Sequence, residues 1–257
     1  MLQRLLVFVY GIVCYVAFFG TFLYAIGFIG NLFVPRSIDS PASGDLIDSL
    51  IIDTVLLLVF AVQHSLMARP MFKRWLTRAI PEPAERSTYV LVSSLALIAL
   101  FAFWRPLGGV VWNVQDPVGA AVLYGLFAFG WLLVLVSTFL INHFDLFGLR
   151  QVWLYLLGKP YRPLHFGTPG PYKLVRHPLY VGWLFAFWAT PTMTLSHLLF
   201  AIATTAYILI AIQLEERDLV ASFGEEYRDY RARVPMLIPF MRRHVAGRRS
   251  LEGAKRV

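Results

Sequence analysis

The sequence predicts an all-α integral membrane protein with five hydrophobic segments. The last segment is expected to be a helical hairpin, followed by an amphipathic helix on the cytoplasmic surface. Three observations carry this reading. Of the 257 residues 58% are hydrophobic and only 15% are charged, whereas a soluble domain is about half apolar and about a quarter charged. The apolar residues fall into long runs. The Lys and Arg residues lie almost wholly on alternate connections between those runs.

The first run, 5–34, is longer than the apolar core of a signal peptide and has no small-residue cleavage site, so it is expected to be a true span. The runs 49–67, 88–104 and 118–141 each suit one crossing of about 30 Å of hydrocarbon at about 1.5 Å per residue. The run 179–213 is too long for one crossing and is interrupted by Thr190, Pro191 and Thr192, then by Ser196 and His197. Proline costs about 3 kcal/mol inside a helix, so this run is expected to be a hairpin and the chain to cross six times. Over 214–240, Leu219, Val220, Phe223, Tyr227 and Tyr230 recur at helical spacing, which predicts an amphipathic helix continuing the last span along the membrane surface. The division expected is a transmembrane bundle over 1–141, a ligand-binding half over 142–240 and a short basic tail, disordered, over 241–257.

With the N-terminus inside, all but Arg36 and Arg105 of the 23 Lys and Arg fall on the inner side, so both termini are expected in the cytoplasm. The net charge of +8 is mostly this asymmetry, which serves topology and anionic-lipid contact rather than nucleic-acid binding. Cys14 is the only cysteine, which excludes an intramolecular disulfide and a CxxC metal site. There is no GxGxxG, P-loop or HExxH, so Rossmann-type enzymes, P-loop ATPases and HExxH zinc proteases lack support.

Polar residues at membrane depth are costly and mark candidate functional positions. Gln63, His64 and Ser65 end the second span; Asn142, His143 and Asp145 end the fourth; Arg176 and His177 precede the hairpin, and Glu215 and Glu216 end it. The charge-derived topology gathers all of them on the inner face. The plain structural alternatives are interface anchoring by the Arg-His-Pro stretch, pairing of the glutamates with Arg176 or Arg217, and hydrogen-bonded interface histidines. His165 and His197 are expected to be structural, and Asp53 and Cys14 are assigned no role.

The stretch GPYKLVRHPLYVG (170–182), an apolar hairpin, and EERDLVASFGEEYRDYRARVPMLIP (215–239) occur in that order. This arrangement resembles the catalytic half of the isoprenylcysteine carboxyl methyltransferase and phospholipid methyltransferase superfamily. The resemblance implies S-adenosylmethionine as cofactor, held on the cytoplasmic side. Mapped by motif position, it nominates Gly170, Pro171, Tyr172, Arg176, His177, Pro178, Tyr180, Gly182, Glu215 and Glu216. The chemistry is compatible: a carboxylate suits Arg176 or His177, while an ammonium and ribose hydroxyls suit Glu215 or Glu216. A sulfonium suits the faces of Tyr172 and Tyr180. The adenine would slot between apolar side chains of the hairpin, and Pro171 and Pro178 would stiffen the loop.

The QHS at 63–65, the segment NHFDLFGLRQVW from Asn142 and the ERSTYVL from Glu85 resemble the NnrU-like branch, and the whole chain resembles its bacterial methanethiol S-methyltransferases. That resemblance implies an enzyme of the bacterial inner membrane whose partners are a small volatile thiol and membrane lipids. It would methylate methanethiol to dimethyl sulfide, releasing S-adenosylhomocysteine. A simple alkanethiol is mostly protonated at neutral pH, since even cysteine has a pKa near 8.5, so a base or cation must help form the thiolate. His64 and His143 are the expected bases, with Asp145 orienting a ring and Arg69, Arg86 or Arg150 stabilising the thiolate. Two alternatives stay open: another thiol, lipid or prenyl acceptor, or a haem or metal held by the histidines, as the likeness to zeta-carotene isomerase suggests.

Overall fold

A computed structural model of the chain describes residues 1–42 and 44–240; the tail expected to be disordered lies outside the described residues. Five helices are long and apolar enough to cross a membrane, so this is an all-α multi-pass membrane protein. They are α1 (Leu2–Gly30), α2 (Leu46–Met67), α4 (Glu85–Phe103), α5 (Pro117–Ile141) and α9 (Leu195–Phe223). Shorter helices connect them: α3 (Pro70–Leu76), α6 (His143–Leu146), α7 (Leu149–Leu156), α8 (Pro178–Trp188) and α10 (Glu225–Arg233).

Local chemistry sets the boundaries. The α2 N-terminus is capped by Asp45, whose carboxylate accepts from Ile47 N and Asp48 N, and that of α5 by Asp116, followed by Pro117 at the first helical position. Asn31 ends α1 in the left-handed conformation at φ 57°. The wide outer surface of the bundle carries unpaired Leu, Val, Ile and Phe side chains, which hydrocarbon solvates.

The hairpin departs from expectation. Its first arm, α8, has only 11 residues, about 16 Å of helix, too short to cross alone. The Thr-Pro-Thr break is not a tight helical turn. Thr192–Thr194 forms strand β2, which pairs antiparallel with strand β1 (Val110–Asn113) from the loop before α5. The return arm α9 has 29 residues, so the two arms are unequal, and the short α8 reaches the far end of the bundle through residues 189–194 and the β1–β2 pairing.

The amphipathic helix expected over 214–240 is also broken. The glutamates stay on α9, which runs on to Phe223. Gly224 then turns at φ 57°, ψ −128°, a conformation that favours glycine, and α10 follows. Beyond it the chain doubles back: Arg176 N donates to Pro235 O at 2.9 Å and His177 N to Met236 O at 3.2 Å.

The two ends of the bundle differ in content. At one end Arg36 donates to Ala102 O and buried His197 bridges Phe187 O at 2.9 Å and Asp39 Oδ2 at 3.2 Å. Although burial opposes ionisation, the hydrogen bonds from His197, Thr194 and Asn31 hold the Asp39 carboxyl below its usual range. At the other end Tyr10 meets Thr88, Arg69 pairs with Asp218 and Arg86 donates to Leu146 O. The candidate polar residues lie at this second end.

Candidate active site

The Arg-His-Pro stretch is held by a turn, a knot of charge and a fold-back. Gly170–Lys173 forms a 3-10 turn, with Gly170 at φ 53° and Pro171 at its start. Tyr230 OH donates to Tyr172 O at 2.6 Å, which ties the turn to α10. Arg176 and His177 are buried. Arg176 Nε donates to Glu216 Oε1 at 2.6 Å, and Nη1 to Val234 O at 2.6 Å and Arg231 O at 3.2 Å. His177 Nε2 lies 3.0 Å from Glu216 Oε1, and Arg231 Nε 3.3 Å from Oε2. One buried carboxylate therefore faces three cationic or donor groups.

Glu215 is turned about 100° away on the same helix and behaves differently. Its side chain is 46% exposed, against 4% for Glu216. It accepts from Tyr180 OH at 2.9 Å. The pair read from sequence as one unit thus divides into an internal scaffold and an open acid beside a phenol. Arg176 is largely committed to this scaffold, with two of its three guanidinium nitrogens, Nε and Nη1, used inside the protein.

Two other motif residues also serve packing. Pro178 is the first residue of α8 and is buried. Gly182 abuts α5: a Cβ there would lie 2.7 Å from Gly130 O. Tyr172 and Tyr227 bury hydroxyls that have no partner among the described residues. Burial raises the pKa of both phenols and pushes that of Tyr230 up to about 12, so all three stay protonated donors. Phe166 packs on Phe223, Tyr227 and Tyr230, closing that side with rings.

His64 lies across from this group. Its ring stacks on Phe60 with centroids 5.2 Å apart. Tyr89 OH is 2.8 Å from Nε2 and 3.1 Å from Nδ1. Ser93 Oγ is 3.2 Å from Nδ1 and also accepts from Gln63 Nε2. Arg86 lies 5.1 Å over the Tyr89 ring. Ser65 Oγ meets Tyr207 OH at 3.0 Å. Tyr207 and Tyr89 lie within electrostatic range of Tyr180, which places the His64 group on the same side of the bundle as Glu215. Tyr89 and Tyr207 were not singled out as site residues from sequence; hydroxyls on otherwise apolar helices were the available signal.

His143 is placed elsewhere. Thr138 Oγ1 donates to Leu135 O at 2.7 Å and so accepts from His143 Nδ1 at 2.9 Å. That leaves Nε2 to accept from Tyr15 OH at 2.8 Å. Burial lowers the imidazole's pKa, in keeping with this neutral tautomer, and the ring stacks on Phe139 at 4.2 Å. Phe147 packs against His143 on one side and, with Phe18, against the Met67–Tyr89 cluster on the other. An aromatic wall thus separates the two histidines expected to act together.

Asp145 orients neither ring. It pairs with Arg150 at 2.7 Å and accepts from Tyr161 OH at 3.4 Å, and Arg150 also donates to Arg162 O. Arg69 is likewise engaged, with Asp218 at 3.2 Å. Among the described residues no group of three or more His, Cys, Asp or Glu is arranged to hold a metal ion, so His64, His143 and Asp145 form no ligand set.

The family model described as NnrU protein matches residues 54–239, a stretch that contains both the His64 group and the Arg-His-Pro knot. The chain belongs to the NnrU family. This NnrU-family chain is 60% identical over 240 residues to a methanethiol S-methyltransferase of Crocosphaera subtropica, covering 93% of this chain and 94% of that one. It is 52% identical over 243 residues to a methanethiol S-methyltransferase of Mycobacterium tuberculosis, covering 95% and 100%. Nurim of Rattus norvegicus is 34% identical over 180 residues, covering 66% of the NnrU-family chain and 68% of its own. No solved structure matches it significantly.

Proposed function

We propose that this protein methylates methanethiol with S-adenosylmethionine, giving dimethyl sulfide and S-adenosylhomocysteine. The observation that carries the reading is the similarity to methanethiol S-methyltransferases over more than nine-tenths of both chains. The geometry supports it. The donor is a cation at both its sulfonium and its ammonium, and the site end offers a half-exposed carboxylate, Glu215, bonded to the phenol of Tyr180. The buried, unpartnered hydroxyls of Tyr172 and Tyr227 add donors nearby.

In this reading Glu215, Tyr180, Tyr172 and His177 hold the donor, which supplies an electrophilic methyl group. Arg176 and Glu216 keep that wall rigid, and Gly170, Pro171, Pro178 and Gly182 shape it. His64 takes the acceptor's proton. His143 acts as a brace between α1 and α5, since both ring nitrogens are engaged; the same engagement argues against an axial bond to haem. Chain regions 1–141 and 142–240 act as bundle and donor-binding half. Among the described residues every Lys and Arg but Arg36 and Arg105 lies at the site end or on the connections leading from it, which supports a cytoplasmic placement in a bacterial inner membrane.

Membranes containing the protein, given methanethiol and S-adenosylmethionine, are expected to release dimethyl sulfide into the headspace; release no greater than from control membranes would sink the proposal. Glu215→Gln is expected to weaken donor binding about 10- to 100-fold, the loss of one charge-assisted hydrogen bond, read by calorimetry in detergent. His64→Gln is expected to keep donor binding while kcat falls about 100-fold. An unchanged kcat would remove His64 from the chemistry.

A further inference from the structure

We propose that Tyr89 is the proton relay between the acceptor thiol and His64. The inference rests on the methyltransferase reading and adds a catalytic residue to it. His64 is fixed on every side that the structure defines. Its face stacks on Phe60, its Nδ1 edge meets Ser93 Oγ at 3.2 Å, and the partner of Nε2 among the described residues is the Tyr89 hydroxyl at 2.8 Å, which also lies 3.1 Å from Nδ1. A thiol cannot occupy the Nε2 position unless Tyr89 is displaced. The phenol is therefore the group that a thiol would reach first.

The hydrogen-bond partners permit a relay. It uses the His64 tautomer protonated at Nδ1, with the two lone pairs of Ser93 Oγ accepting from Gln63 Nε2 and from that Nδ1. This leaves Nε2 bare, able to accept the phenolic proton. Of the phenols Tyr180, Tyr207 and Tyr89, the first is bonded to Glu215 and the second to Ser65, and Tyr89 alone is bonded to an imidazole. Arg86, anchored on Leu146 O at 2.7 Å, places its guanidinium 5.1 Å from the Tyr89 ring centroid. A fixed positive charge at that range favours negative charge developing on the phenol oxygen.

The step balances. The thiol S–H bond breaks and its proton passes to Tyr89 Oη, while Tyr89 gives its own proton to His64 Nε2. The sulfur lone pair forms the new S–CH3 bond as the methyl–sulfonium bond breaks, its electron pair remaining on the departing sulfide. The imidazolium later loses its proton to water. The other charged or titratable groups around the pair are Arg86 and Glu85 on α4, Arg69 at the junction of α2 and α3, Tyr207 on α9 and Tyr180 on α8.

The test is Tyr89→Phe in the full-length protein, which keeps the ring packed on Met67 and Val90 and removes only the hydroxyl. Donor affinity is expected to stay within about twofold, while kcat/KM for methanethiol falls about 100-fold near neutral pH. The deficit is expected to shrink progressively as the pH rises towards the alkanethiol's own pKa, which lies above the ~8.5 of cysteine, because the thiol there ionises unaided. Ser93→Ala, which frees the Nδ1 edge, is expected to show a smaller loss with the same pH trend. A loss that is constant with pH would mean a packing role, and no loss would mean no role; either overturns the relay. If the parent protein makes no dimethyl sulfide, the methyltransferase reading fails. If the parent is active and Tyr89→Phe matches it, only the relay fails.

Discussion

Replacing Glu216 with alanine is expected to destabilise the protein by about 3–5 kcal/mol, the cost of removing one partner from a buried ion pair. The carboxylate is 4% exposed, and the Arg176 and His177 side chains that it bonds are 3% and 4% exposed. Without it a guanidinium remains buried with only the carbonyls of Arg231 and Val234 as acceptors. Those two carbonyls soften the loss and favour the lower end of the range. Arg231 is partly exposed and can turn to water. The fold-back at 234–236 is pinned through Arg176 and the 176–177 backbone, so it is expected to loosen with the knot. Thermal unfolding in detergent reads the effect, with Glu215→Ala as the comparison. Glu215 is half-exposed, so its removal is expected to leave the unfolding midpoint nearly unchanged while donor binding weakens. The reverse outcome, a stable Glu216→Ala protein and an unstable Glu215→Ala one, would overturn the division of labour between these neighbours.

The spans were legible because hydrocarbon imposes the same demand on every lipid-facing residue, and a long apolar run records it directly. The grouping of polar residues at one end was legible too, because alternating connections of a multi-pass chain must share a side. The length of α8 was not. Its end is set by Thr192–Thr194 pairing with Val110–Asn113, a contact some 80 residues away that no local signal announces. The same limit explains the catalytic residues. His64 and His143 end the second and fourth spans at the same end of the bundle, yet periodicity cannot say that Phe147 and Phe18 stand between them. Asp145 was two residues from His143 and was expected to serve it, but on α6 its carboxylate turns to Arg150. Tyr89 was visible as a residue and invisible as a partner of His64, because helix rotation decides which hydroxyl meets which ring.

Gly182→Ala is expected to cost stability and donor affinity together, although glycine has no side chain with which to bind. A Cβ at 182 would stand 2.7 Å from Gly130 O and 2.9 Å from Val134 N. The reciprocal Cβ at Gly130 would stand 2.6 Å from Ala186 N and 2.7 Å from Gly182 O. These are backbone atoms, so no rotamer change relieves the clash and α5 must move away from α8. Helices in a membrane associate by such close backbone approach at small residues, and overpacking of a tight contact costs about 1–3 kcal/mol or more. The N-terminus of α8 continues from Arg176 and His177, and its first turn carries Tyr180. Displacing α8 therefore changes where Tyr180 sits relative to Glu215, and donor affinity is expected to fall about tenfold. Gly20→Ala and Gly125→Ala are the controls, because a Cβ at either meets nothing within 4 Å. There the better helix propensity of alanine, up to about 1 kcal/mol, is expected to leave the protein unchanged or slightly more stable. If Gly182→Ala melts with the parent and still loses the donor, the motif glycine contacts ligand. If it loses stability and affinity in step, the glycine at the end of GPYKLVRHPLYVG serves the site by letting two helices touch.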